Sequence, residues 1–189
     1  ENRLMEFVVD GEKEYVGVVR LGIATDTYDA TGQVTAERDF SQVTQDSLAA
    51  ALDSLRGTIQ QTPPMYSALK QHGRRLHELA RAGIEVERAP RTVEVSRLDL
   101  VEWDSPMVTL SIQCSRGVYV RSLAHDLGQL LGCGAHLTQL RRLRTGPFYV
   151  NQAVTLERLR EAIQDGSWLS LLYPPDYAVL NRGSVVLRV

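Results

Sequence analysis

The sequence predicts an α+β sheet protein, and three observations carry the prediction. Segments of period-two alternation recur along the chain, at 14–21, 92–101 and 108–114. Helical periodicity is confined to a few short stretches between them. In "CSRGVYVRSLAHDLG", Cys114 to Gly128, a strand pattern passes straight into a helix. Several strands with few intervening helices make a sheet with helices set against it.

The elements follow in order. In the first strand, Tyr15, Gly17, Val19 and Leu21 share one face. "GIATDTYDATG", Gly22 to Gly32, reads as a polar loop rich in Asp, Thr and Gly. Thr44 can cap a helix whose stripe is Leu48, Ala51, Leu52 and Leu55, with Gly57 ending it. Pro63-Pro64 breaks the chain. A short helix over 74–82 then turns Leu76, Leu79 and Ala80 inward, and this basic stretch reads as an insertion projecting from the main body.

Strands resume at 92–101 and 108–114. In the latter, Val108, Leu110, Ile112 and Cys114 alternate with polar residues. A helix over 122–131 carries Leu123, Ala124, Leu127, Leu130 and Leu131, with Gly132 as its C′ residue. Short strands follow at 135–143 and 147–150. Thr155 caps a last helix bearing Leu156, Leu159 and Ile163, Pro174-Pro175 breaks the chain again, and 184–189 reads as an apolar strand.

The chain has 189 residues, 43% of them hydrophobic and 6% aromatic, which suits one moderate domain with a fragment of a second. No 18-residue apolar run is present, so no transmembrane helix is expected, and no charged-then-apolar leader marks a secretory signal. Cys114 and Cys133 lack metal-ligand spacing and read as buried free thiols of a cytosolic protein, and the four scattered histidines suggest no metal site. The net charge of −2 is unevenly spread: residues 1–60 hold eleven acids and five bases, whereas 61–150 hold eight acids and twelve bases. Of the 21 basic residues 19 are arginine, whose flat fork suits phosphate and carboxylate, although a compositional bias toward arginine would give the same count.

Three features bear on function. Tyr15, with the Asp-Thr loop around Asp29, reads blandly as a core aromatic and a set of turn residues, or functionally as a base-stacking ring beside a polar loop. The Pro-Pro segment with Met65, Tyr66, Lys70, Arg74 and Arg75 reads as a solvated basic helix or as a grip on a phosphate backbone. Arg121 stands near a helix N-terminus, which is already partly positive, so an anionic partner explains it better than solvent does. Tyr119 beside it would give such a pocket an aromatic wall. No Ser-His-Asp, Gly-rich phosphate loop or zincin pattern competes.

The segments "KEYVGVVRLGIATDTYDATG", "QTPPMYSALKQHGRRLHELARAGIEV", "CSRGVYVRSLAHDLGQLLGCGAHLTQLRR" and "GPF", in this order, resemble the TruB-type tRNA pseudouridine synthases across roughly residues 8 to 160. The resemblance implies a mixed, mainly antiparallel sheet with flanking helices and an inserted thumb over about 62–91. It implies a catalytic domain over 1–170, and over 171–189 the start of a C-terminal RNA-binding, PUA-like domain that is cut short. The implied activity is cofactor-free isomerisation of uridine 55 in the tRNA T loop, on a flipped base, by a cytoplasmic monomer with no membrane or obligatory protein partner.

By position, Tyr15 matches the tyrosine that stacks on the target uracil, and Tyr119 and Leu140 match apolar pocket walls. Arg121 matches the arginine that pairs with the catalytic aspartate, and Asp29 a loop aspartate near the RNA. Lys70, Arg74, Arg75, Arg141 and Arg142 are the expected RNA-binding cations. The family nucleophile is an Asp in a Gly-x-Leu-Asp motif that residues 1–189 do not contain. In the family the motif lies upstream of the position matched by residue 1, so the expectation is a nucleophile outside this chain and an inactive fragment. Two other readings are a non-catalytic tRNA-binding or folding module of the same fold and a guide-RNA-dependent, dyskerin-type relative. The "HGRRLHELARAGIEVERAPRTV" insertion favours the stand-alone form over the latter.

Overall fold

In the computed structural model, which describes residues 8–67, 69–71, 74–84, 86–174 and 177–178, the alternating segments form strands. In chain order the elements are β1 (Lys13–Leu21), β2 (Ile23–Thr25), β3 (Val34–Glu37), α1 (Gln45–Ser54), β4 (Gly57–Gln61), β5 (Lys70–Gln71), β6 (Arg74–Arg75), α2 (Leu76–Arg81), β7 (Arg91–Asp104), β8 (Met107–Cys114), α3 (Val120–Leu130), β9 (Ala135–Thr145), β10 (Phe148–Tyr149) and α4 (Leu156–Asp165).

The main sheet has six strands in the order β10-β9-β1-β8-β7-β4. Every pairing in it is antiparallel. A parallel contact comes from outside the strands, a bridge between Asp29 and Leu137. The α+β expectation is met, with the first strand in the middle of the sheet.

Period-two alternation places Tyr15, Val19 and Leu21 of β1 on the same face as Val108, Leu110, Ile112 and Cys114 of β8. That face is covered by Leu48, Ala51 and Leu52 of α1 and Leu123, Ala124 and Leu127 of α3, all in one buried cluster. Each fully buried leucine stabilises the fold by about 1.5–3 kcal/mol. Gly128 lets α3 lie directly on the start of β9, because a Cβ there would stand 2.1 Å from the Ala135 nitrogen. Both cysteines are free and buried, and burial pushes the Cys114 thiol up to about 11.

Local signals set most element ends. Thr44 caps α1 in a reciprocal box: its Oγ1 accepts from the Ser47 amide at 3.1 Å, and Ser47 Oγ accepts from the Thr44 amide at 2.9 Å. Gly132 ends α3 with a φ of 75°, the left-handed conformation expected of a C′ glycine. Thr155 caps α4 through the Arg158 amide.

Several expectations need correction. The 22–32 loop begins with β2, which pairs with β3, because Ala24 and Thr25 are buried and need strand partners. Gly57 does not end α1, which stops at Ser54; its φ of 76° opens β4, an edge strand that the sequence pattern does not announce. The helix expected over 74–82 starts at Leu76, and Arg74–Arg75 pair instead with Lys70–Gln71. α3 begins at Val120, two residues earlier than expected. The helix expected after Thr155 forms as α4, and its Leu156 and Ile163 are 66% and 61% exposed. The apolar strand expected at 184–189 lies outside the described residues.

β4 and β7 are sheet neighbours, and between them the chain leaves the sheet to form the β5–β6 hairpin and α2. Leu76 and Leu79 root α2, being 3% and 7% exposed. Among the described residues, no helix is long and apolar enough to cross a membrane.

Candidate active site

A cavity of about 440 Å³ opens where β1, β9, the N-terminus of α3 and the 26–32 loop meet. Six of the ten sequence-selected residues line it: Tyr15, Asp29, Tyr119, Arg121, Leu140 and Arg142. Strand register accounts for three of them. Leu140 and Arg142 pair with Gly17 and Tyr15 and alternate toward the cavity. Arg141 pairs with Val16, is exposed, and belongs to the opposite face of the sheet. The side chains of Lys70, Arg74 and Arg75 lie outside the described residues.

Tyr15 is 9% exposed and forms an aromatic wall. The Arg142 guanidinium sits 5.5 Å from its ring centroid, a cation–π distance. Burial pushes the Tyr15 hydroxyl above its ordinary range, against the opposing charge of Arg142. Leu140, 48% exposed at the mouth, presents an aliphatic surface. Gly17, between Tyr15 and Val19, leaves room there; a Cβ would meet Leu137 at 3.3 Å and Leu140 at 3.6 Å.

Tyr119 is the N-cap of α3 and gives no side-chain cap. Gln61, at the end of β4, brackets it instead. The Tyr119 amide donates to Gln61 Oε1 at 2.7 Å, and Gln61 Nε2 donates to the Tyr119 carbonyl at 3.2 Å. Gln61 is 2% exposed, so both bonds are made away from solvent. Ser122 Oγ donates to the Thr62 carbonyl at 3.3 Å, a second tie between this junction and the root of the 62–90 excursion.

Arg121, second residue of α3, has the anionic partner its position calls for. Its Nη1 lies 3.2 Å from Asp29 Oδ2, and its Nη2 donates to the Tyr66 carbonyl. Each side chain of the ion pair is about three-quarters buried, at 23% and 24% exposure. The carboxylate offsets the unfavourable field of the helix N-terminus on the cation.

Asp29 is itself firmly held. Its Oδ1 accepts from Thr27 Oγ1 at 2.7 Å, Thr31 Oγ1 at 2.6 Å and the Thr31 amide at 3.0 Å. Backbone bonds from Leu137 N to Tyr28 O and from Ala30 N to Leu137 O fix the loop to β9 on both sides of Asp29. Burial would push the carboxyl up, but the hydrogen bonds from Thr31 and Thr27 and the Arg121 charge outweigh it, and the group is held below the usual carboxylate range.

These parts give two aromatic rings, an aliphatic wall and a fixed cationic fork. That combination suits a flat ring enclosed beside a carboxylate held by arginine. Asp29 is the one carboxylate among the lining residues. Gln61 and Thr31 are not among the residues the sequence points to, whereas Thr27 enters there as part of the Asp-Thr loop and Tyr66 as part of the Pro-Pro segment, neither with the role it has here. The threonines at two residues either side of Asp29 were a readable signal, the usual partners of a turn aspartate. Gln61 gave none, since its role depends on a strand end meeting a helix start 58 residues away.

The family described as TruB family pseudouridylate synthase (N terminal domain) matches residues 1–120, and that described as tRNA pseudouridylate synthase B C-terminal domain matches 121–180. The chain is 48% identical over 182 residues to tRNA pseudouridine synthase B of Pseudomonas aeruginosa, covering 95% of this chain and 60% of that protein. It is 51% identical over 177 residues to tRNA pseudouridine synthase B of Aromatoleum aromaticum, covering 94% and 57%. The chain thus spans about three fifths of the length of these curated relatives. Among solved structures, a chain of a Cbf5-Nop10-Gar1 complex superimposes with a TM-score of 0.69 at 26% identity, covering 94% of this chain and 46% of that one.

Proposed function

The chain belongs to the TruB family of pseudouridylate synthases, and from that membership we propose that its cavity converts a uridine of tRNA, uridine 55 of the T loop, to pseudouridine. The single observation that carries the reading is the convergence of Tyr15, Tyr119, Leu140 and Arg121 on one cavity, with Arg121 already engaged by a carboxylate.

The reaction breaks the bond from uracil N1 to ribose C1′ and forms one from C5 to C1′; C5 loses its proton and N1 gains one. The base must leave its stack to be reached. In this reading it lies against the Tyr15 ring, with Tyr119 and Leu140 closing the apolar wall that keeps the detached uracil from water. Arg121 holds the nucleophilic carboxylate, supplied by the family's Gly-x-Leu-Asp motif. Asp29 serves Arg121 and not the sugar, since its Oδ1 is filled by three donors and its Oδ2 by the guanidinium. The isomerisation is redox-neutral, so it consumes no redox cofactor.

Residues of about 62–91 are proposed as a thumb over the T arm, with Lys70, Arg74 and Arg75 on phosphates and Arg142 extending the grip at the cavity, while Arg141 would meet RNA only on the opposite face of the sheet. Residues 1–170 are read as the catalytic domain and 171–189 as the start of an RNA-binding domain, in a cytoplasmic protein that works as a monomer without a protein partner.

Tritium release from tRNA carrying C5-labelled uridine tests the activity, using the protein expressed from its complete gene. Release with bare T-arm RNA and no added protein is the expected result. Tight tRNA binding with no release would establish a binding or folding module instead.

A further inference from the structure

Two contacts one helical turn apart join the 26–32 loop to α3. One is the Arg121–Asp29 ion pair. The other is a stack of the Tyr28 ring on the His125 imidazole, with centroids 3.9 Å apart and planes within 19°. Positions 121 and 125 lie on one face of the helix, and 28 and 29 are neighbours in the loop.

Tyr28 stands in an unfavourable conformation. Its φ is 66°, the one positive value at a non-glycine among the described residues. A bulky side chain is disfavoured there, and such a residue persists where its surroundings over-determine it. The surroundings are visible: its amide donates to Thr25 O, its carbonyl accepts from Leu137 N, and its ring lies flat on His125.

The imidazole acts in this contact as a surface. His125 Nδ1 is buried and has no hydrogen-bond partner among the described residues, and burial lowers the basicity of the ring, so the neutral form is the one stacked. Neither ring lines the cavity, so neither is placed to touch a substrate there.

We propose that Tyr28 and His125 are positioning residues, whose stack sets where the Asp29 carboxylate stands against Arg121. The inference rests on reading the cavity as the pseudouridine-forming site. Without the stack, the loop keeps its two bonds to β9, and of its two contacts with α3 only the ion pair itself is left, with nothing beside it to set its geometry.

The test uses His125→Ala, His125→Phe, Tyr28→Ala, Tyr28→Phe and Tyr28→Gly in the product of the complete gene. Single-turnover pseudouridine formation and tRNA Kd are measured together with the NMR signals of the Arg121 guanidinium. Its Nη–H signals are resolved while the fork is held and merge when it turns freely. Both alanine variants are expected to lose about tenfold in single-turnover rate, with Kd within about twofold, and to merge the Nη–H signals. The phenylalanine variants restore both, since a flat ring remains. Tyr28→Gly removes the conformational cost together with the ring, so it folds and is slow even if Tyr28→Ala unfolds.

A wild-type rate in His125→Ala or Tyr28→Gly, losses not restored by phenylalanine, or a loss that follows Kd would each overturn the proposal. If the wild-type protein makes no pseudouridine, the functional reading fails alone. The Nη–H signals still decide whether the stack holds the ion pair.

Discussion

Arg121 Nη1 and Asp29 Oδ2 stand 3.2 Å apart across 92 residues of sequence, and the other carboxylate oxygen of Asp29 is occupied by three donors from Thr27 and Thr31. The acid is fixed first by its own loop and then presents one oxygen to the arginine. The pair is therefore preorganised and does not depend on a substrate to form it.

Removing the acid should free the arginine. Asp29→Ala is expected to lower single-turnover pseudouridine formation about 100-fold while changing tRNA Kd little, because a misplaced guanidinium costs orientation and not contact area. A rate loss matched by an equal loss of affinity would mark Asp29 as an RNA contact.

Arg121→Ala should fall at least as far in rate, and Arg121→Lys should not restore it. The arginine uses two separate nitrogens, one on Asp29 and one on the Tyr66 carbonyl, and a lysine cannot span both. Full activity in Arg121→Lys, read by tritium release, would show that only the charge matters.

Gln61→Ala leaves the part-buried amide of Tyr119 without its partner, while the Tyr119 carbonyl keeps the Leu123 amide at 3.1 Å. We expect a loss of about 1–3 kcal/mol in urea unfolding, a clear effect for a residue that touches no substrate. A loss below about 0.5 kcal/mol would mean that water or the backbone replaces the lost bonds.

Burial raises the Asp126 carboxyl to about 6. A folded pKa above the unfolded value, about 3.9, means the native state binds the extra proton between them, so stability falls as pH rises through that window and stays low above it. Asp126→Asn is expected to gain about 1 kcal/mol at pH 8, after allowance for partial exposure, and much less at pH 4. Equal gains at both pH values, in thermal unfolding, would remove the charge from the explanation.

Gly128→Ala should destabilise by about 3 kcal/mol or abolish folding, since the added carbon meets the backbone of Gly134 and Ala135, which cannot turn aside as a side chain can. Normal unfolding would require that α3 can lift from β9.

What was readable in the sequence was what local chemistry decides. Alternation set β1 and β8, and Thr44, Gly132 and Thr155 set helix ends. The awkward cation at position 121 announced an anionic partner. The partner's identity was not readable, because Asp29 and Arg121 meet only once β9 carries the loop to the helix. β4 has no clean alternation and owes its existence to pairing with β7. The stripe of α4 illustrates the converse: its helical period is correct, yet among the described residues nothing covers Leu156 or Ile163.

The sheet order has a consequence for how the protein is made. β1 lies between β8 and β9, so both of its neighbours follow it by about 90 residues or more of chain. During synthesis at roughly 5–20 residues per second, the apolar face of Tyr15, Val19 and Leu21 waits several seconds for its first partner strand. That unpaired ribbon is the segment most exposed to wrong pairing with another nascent chain, and closing it is the slow, non-local step of assembly.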